Sequence, residues 1–214
     1  MKNKLFISLF FALLVCGPAH ADDTTADNNT GTWRDHVKEL GILTGYGQTG
    51  LPTQKHYEVI PFYVNLGIDM DKLKLGYCDW VEKASKAWFN KDFHPKGYTE
   101  FVIEPFASYV PSPDTNAEFG LVLLSKFAYP VTPKIHPYIF GGGGVMYITQ
   151  HLHNQATQYN FTPQIGGGLS YLIKDDFAIN CEYRWRHFSN AHIKEPNDGV
   201  NVNLILVGVS WFFN

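Results

Sequence analysis

His187-Phe188-Ser189 sets an imidazole and a hydroxyl two positions apart. On a β-strand both side chains leave the same face, because successive residues alternate. Their Cα atoms then stand about 6.6 Å apart, from a rise near 3.3 Å per residue, which lets the ring lean to the hydroxyl. A serine hydroxyl is a poor nucleophile until a neighbouring base accepts its proton as it attacks. What the spacing offers is an imidazole within hydrogen-bonding reach of a hydroxyl. The blander reading is a polar pair at the end of a membrane strand, already in the headgroup layer where polarity costs little. His-x-Ser alone does not choose between them.

The elements that must position this pair read as strands. Runs with period-2 character, separated by turn residues, lie near 38–48, 57–70, 98–110, 117–130, 135–149, 159–174, 177–190 and 201–213. Eight is the smallest even number of strands that closes a transmembrane barrel, and closure removes exposed edges. Lengths of 11–16 residues exceed the usual strand of a globular sheet and suit a tilted membrane crossing. In 177–186 one face is Phe177, Ile179, Cys181, Tyr183 and Trp185, and the other is Ala178, Asn180, Glu182, Arg184 and Arg186. Parity extends the first face to His187 and Ser189. Ile205, Val207, Val209 and Trp211 in the last strand carry Asn201 to the same side.

A soluble sandwich or lipid-binding barrel would turn those apolar faces inward, whereas a membrane barrel turns them to lipid and keeps charges in the lumen. Three features favour the membrane. Residues 1–21 resemble an export signal, with Lys2 and Lys4, an apolar run at 5–15 and a small-x-small cleavage site at Ala19-His20-Ala21. Removal after Ala21 would leave 214 − 21 = 193 residues. The end of the chain, Ser210-Trp211-Phe212-Phe213, resembles the closing strand of outer-membrane proteins, with Asn214 after the last aromatic. Tyr and Trp also gather near strand ends, as interfacial girdles do. The expectation is an all-β, eight-stranded antiparallel barrel over 34–214, preceded by a polar, disordered segment at 22–33.

Composition closes off other classes. No later run approaches 18 apolar residues, so no helical span is expected. Without the two signal lysines the chain has 15 basic and 20 acidic side chains, which gives no reason to expect nucleic acid. The glycine runs 141–144 and 166–168 lack the spacing of a phosphate loop. They read as places where neighbours pack close. The histidines at 136, 151, 153 and 192 make no metal-ligand spacing, and no cofactor is implied. Glu182, Arg184 and Arg186 read as a luminal charge network. Cys78 and Cys181 are equally consistent with a disulfide and with two free thiols. Residues 71–97 are the irregular part, with a short helix expected over 79–89 and lysines at 72, 74, 83, 86, 91 and 96. This segment reads as an ordinary solvated loop or as an interfacial element touching anionic lipid.

Arg186-His187-Phe188-Ser189-Asn190-Ala191, followed by Pro196-Asn197-Asp198-Gly199, resembles the signature of the lipid A 3-O-deacylase (PagL) family. The resemblance covers about 30 residues at the C-terminal end of the sequence, and its motif sits before the final strand. It implies an eight-stranded barrel in the outer membrane of a Gram-negative bacterium, hydrolysing an acyl ester of lipid A, with lipopolysaccharide and outer-membrane lipids as its partners. It also implies Ser189 as nucleophile, His187 as general base and Asn190 as oxyanion donor. The family's orienting glutamate falls at Asn201 here. An amide oxygen can still hold a histidine tautomer, but it cannot balance an imidazolium charge. Glu195 or Asp198 in the same loop are the substitutes within reach. A non-catalytic barrel, structural or lipopolysaccharide-binding, is the competing expectation.

Overall fold

The computed structural model describes residues 36–49, 56–73, 75–89, 96–152 and 155–213. The expected signal and the polar segment at 22–33 lie outside them. The strands are β1 Val37–Thr49, β2 Glu58–Asp69, β3 Tyr98–Ser112, β4 Asn116–Ala128, β5 Ile135–Ile148, β6 Tyr159–Phe161, β7 Gln164–Lys174, β8 Phe177–Phe188 and β9 Val200–Phe212. All pairings are antiparallel: β1 to β5 pair in succession, β6 and β7 both pair with β5, β7 pairs with β8, β8 with β9 and β9 with β1, so the sheet closes on itself.

The expected strand 159–174 appears as two pieces, β6 and β7, interrupted at Thr162-Pro163. Pro163 has no N–H to give to a ladder. Register is nevertheless kept across the break, because Thr162 N–H donates to Gly144 O at 2.9 Å and His187 N–H donates to Pro163 O at 3.0 Å. The two pieces act as one wall strand, and the barrel is eight-stranded.

The alternation read from sequence is the alternation of the barrel wall. In β8 the even residues from Ala178 to Phe188 are buried, while Ile179, Cys181, Tyr183 and Trp185 are exposed. Ile139, Val145, Ile165, Ile205 and Val207 likewise present apolar surface outward. This is the arrangement of a membrane barrel, and it overturns the soluble lipid-binding alternative. Cys181 is a free cysteine on that outer face.

Side chains fill the lumen. Arg184 forks onto Glu104, with Nη1 donating to Oε1 at 2.5 Å and Nη2 to Oε2 at 3.0 Å, and its Nε donates to Glu182 at 2.8 Å. Arg186 grips Glu118 through both terminal nitrogens, at 2.9 and 3.0 Å. Lys126 bridges Glu39 and Glu100. Stranding one partner of a buried pair costs about 3–5 kcal/mol, so pairing across the lumen is a condition of closing the barrel around these groups. Gly166 and Gly168 face inward where the rings of Phe140 and Tyr138 lie, and a Cβ at either would collide with those rings. The glycine runs make room for neighbours, as expected. Nearer the end of β8 and the start of β9, Val59, Val110, Ile148, Phe188, Val200 and Val202 make the interior apolar.

The connections divide the barrel into two ends. Those after β1, β3, β5 and β8 lie with the candidate site, and those after β2, β4 and β7 lie with the start of β1 and the end of β9. Helix α1, Tyr77–Phe89, belongs to the second set. It begins two residues earlier than the sequence reading placed it.

Candidate active site

His187 and Ser189 both leave the outer face, between the buried Arg186, Phe188 and Asn190. Ser189 lies just past the end of β8. It is held in the wall by a two-way bridge, in which Phe161 N–H donates to Ser189 O at 2.8 Å and Ser189 N–H donates to Phe161 O at 3.1 Å. His187, opposite Pro163, receives no such return bond from a residue without N–H.

Asn201 stands directly across from His187 in the β8–β9 ladder. Its Oδ1 lies 2.8 Å from His187 Nδ1. In that arrangement Nδ1 carries the proton and donates to the amide oxygen, which leaves Nε2, the nitrogen able to serve as base, unprotonated. The other side of the ring stacks on Trp185, with centroids 6.1 Å apart and planes 17° from parallel.

Gly199 closes the third side, and it is the residue whose role sequence reading missed. It has φ +71°, and a Cβ there would sit 2.5 Å from His187 Cε1 and 3.1 Å from Nε2. Only a glycine lets the backbone take this turn and pass under the imidazole. The turn signal Pro-Asn-Asp-Gly was visible in sequence, but its contact with the ring was not.

Asn190 points inward, as parity requires, and is buried. Its donors are committed to the loop: the backbone N–H donates to Asn197 Oδ1 at 2.8 Å, and Nδ2 donates to Lys194 O at 2.7 Å. Asn190 thus ties residues 190–199 into one piece. Ala191 and His192 follow with φ of 54° and 63°, turning the chain sharply back toward β9. Glu195 is exposed and lies 4.0 Å from His192. Among the described residues His187 has one side-chain oxygen partner, Asn201, and neither Glu195 nor Asp198 takes that place.

A second polar pair lies just below on the same wall, where Tyr183 Oη donates to Asn203 Oδ1 at 2.7 Å. Inside the barrel, Tyr57 donates to Glu118 and packs against Phe188, with ring centroids 5.5 Å apart.

A family model for lipid A 3-O-deacylase (PagL) matches residues 71–210. The chain belongs to that family. The match includes His187, Ser189, Asn190 and Asn201, together with α1. Among solved structures, the crystal structure of the outer membrane enzyme PagL is similar at 18% identity and a TM-score of 0.54, covering 79% of this chain and 97% of that one. The crystal structure of Neisserial surface protein A (NspA) is similar at 10% identity and a TM-score of 0.57, covering 82% of this chain and 96% of that one. At these identities the two likenesses establish a shared outer-membrane barrel fold. No curated protein matches the chain in a sequence comparison.

Proposed function

We propose that this PagL-family barrel is an outer-membrane esterase that removes an ester-linked acyl chain from lipid A. The observation that carries the reading is the 2.8 Å contact between His187 Nδ1 and Asn201 Oδ1, on the lipid-facing wall and two residues from Ser189. Ser189 Oγ attacks the ester carbonyl as His187 Nε2 takes its proton. The tetrahedral intermediate collapses, and His187 returns that proton to the departing sugar oxygen. Water then attacks the acyl-serine with His187 again as base, releasing the fatty acid. With the chain ends on the periplasmic side, the site sits at the outer interface and substrate reaches it laterally through the leaflet. No metal or cofactor enters the scheme.

The oxyanion needs donors aimed at it, an effect worth about 2.7–4 kcal/mol in other hydrolases. Asn190 fills that role if its N–H exchanges Asn197 Oδ1 for the substrate oxygen, since catalytic hydrogen bonds often form only in the complex.

Mass spectrometry of lipid A from cells expressing the protein tests the reading. Loss of one ester-linked acyl chain is expected. Fully acylated lipid A, with the protein folded in the outer membrane by heat-modifiable gel mobility, would instead favour the non-catalytic, lipopolysaccharide-binding barrel to which Asn201 lends support.

Gly199→Ala tests the position of the imidazole without altering Ser189, His187 or Asn201. The methyl group forces the imidazole aside in a backbone conformation that alanine adopts only at a cost of about 1–2 kcal/mol. Misplacing a catalytic group by about 1 Å can cost about 10²-fold in rate. A drop of that order in acyl release is expected, with heat-modifiable mobility kept. A wild-type rate would mean that the imidazole position is not critical.

A further inference from the structure

The connection between β2 and β3 is out of proportion to its neighbours. It spans residues 70–97, whereas the other connections at that end span 129–134 and 175–176. Turns at the periplasmic end of such barrels are ordinarily short. This connection is tethered to the rim: Met70 N–H donates to Thr99 O at 3.0 Å, Thr99 N–H donates to Asp71 Oδ2 at 2.8 Å, and Tyr77 N–H donates to Thr99 Oγ1 at 2.8 Å. The start of α1 leans on the outside of the barrel. The Tyr77 ring meets Phe127 edge-on, with centroids 5.1 Å apart, and Phe127 is an outward residue between the buried Lys126 and Ala128.

We infer that residues 72–73 and 75–89 form an in-plane anchor in the phospholipid headgroup layer, at the end of the barrel opposite the active site. Leu73, Leu75 and Tyr77 are 42%, 51% and 50% exposed, which is costly in water and favourable at a lipid boundary. Their surface continues the apolar wall through Tyr77 and Phe127. On α1, Tyr77, Val81 and Ala84 share one side at helical spacing, while Lys83 and Lys86 are exposed on another. Lysine stems can lie along apolar surface and carry their ammonium groups to lipid phosphates. Lys72, exposed beside Leu73, adds a third cation to the same rim. A lipid occupant accounts for both the exposed leucines and the interleaved lysines, and for the packing of Tyr77 against the lipid-facing wall.

The experiment uses the full barrel in lipid nanodiscs, which are open to water on both sides. In the chain from Asp22, single cysteines are placed at Leu75→Cys or Lys86→Cys in a Cys78→Ser, Cys181→Ser background and labelled with an environment-sensitive fluorophore. A Cys78→Ser protein labelled at the native Cys181 serves as the wall control, and heat-modifiable mobility confirms folding of each variant. The label at position 75 is expected to be quenched several-fold more by lipid spin-labelled at the top of its acyl chain than by aqueous iodide, with the label at position 86 showing the reverse preference. Equal iodide quenching at both positions would put the segment in water and overturn the proposal. Protection of position 75 from both quenchers would mean that protein covers it, which overturns the proposal equally. Ala84→Cys provides a second apolar-side position if Leu75→Cys does not fold. None of these readouts depends on deacylation.

Discussion

Ser189→Ala is expected to leave lipid A fully acylated, and His187→Ala is expected to match it. In a complete serine triad, losing the nucleophile or the base costs about 2 × 10⁶ in kcat, and removing all members costs little more, because they act as a unit. Here the third member is Asn201, an amide. An aspartate-to-asparagine change in a serine protease alone costs about 10⁴. If that whole cost is already incurred, deleting Ser189 removes the remaining factor of about 10². A fall of at least that size is therefore expected for Ser189→Ala and for His187→Ala, with the double variant no worse than either. Initial rates of acyl release from micellar lipid A, beside the mass spectrum from cells, measure it. A Ser189→Ala protein that deacylates like wild type would end the assignment of Ser189 as nucleophile.

Asn201→Glu is expected to act in the opposite direction. The amide at position 201 supports catalysis in only one orientation. With Oδ1 toward His187, as observed at 2.8 Å, the ring keeps its proton on Nδ1 and Nε2 stays basic. With Nδ2 toward the ring, the tautomer is wrong. A carboxylate presents an acceptor either way and also stabilises the imidazolium that forms as Ser189 attacks. Asn201 is only half-buried on the outer wall, so one added methylene meets no packed core. Because the observed orientation is already the productive one, a gain of about 10² is expected, under the ceiling of about 10⁴ that the full loss of an aspartate sets. The gain must disappear when Ser189→Ala is added. An unchanged rate would show that the amide already does all the orienting this site requires.

The two predictions separate location from rate. If Ser189→Ala abolishes activity and Asn201→Glu raises it, the PagL-family site is working with a weakened third member. If wild type and Asn201→Glu both leave lipid A untouched while folded in the outer membrane, the barrel is non-catalytic.

Much of this molecule is legible in its sequence because period-2 alternation is a local property of the chain. Phe177, Ile179, Cys181, Tyr183 and Trp185 establish the outer face of β8 without knowledge of any neighbour, and parity alone carries His187 and Ser189 to that side. The same reasoning places Asn201 outward from Ile205, Val207, Val209 and Trp211. The export signal, the closing aromatics and the gathering of Tyr and Trp near strand ends then favour a membrane barrel over a soluble one, and the motif around His187 carries the family resemblance.

What a local pattern cannot contain is register, curvature and the partners that closure brings together. Arg184 finds Glu104 across the lumen, 80 residues away, and Arg186 finds Glu118, 68 residues away. Both pairings depend on the stagger with which the sheet closes. The break at Pro163 beside His187 and the capture of Asn190 by Asn197 depend on loop geometry that follows the closed sheet. The passage of Gly199 beneath the imidazole does too. For the pair on which the case began, sequence by itself determined the face and the residue types. Only the tertiary structure decided that the imidazole of His187 is held by the amide of Asn201, because the two meet through a ladder register that neither strand encodes alone.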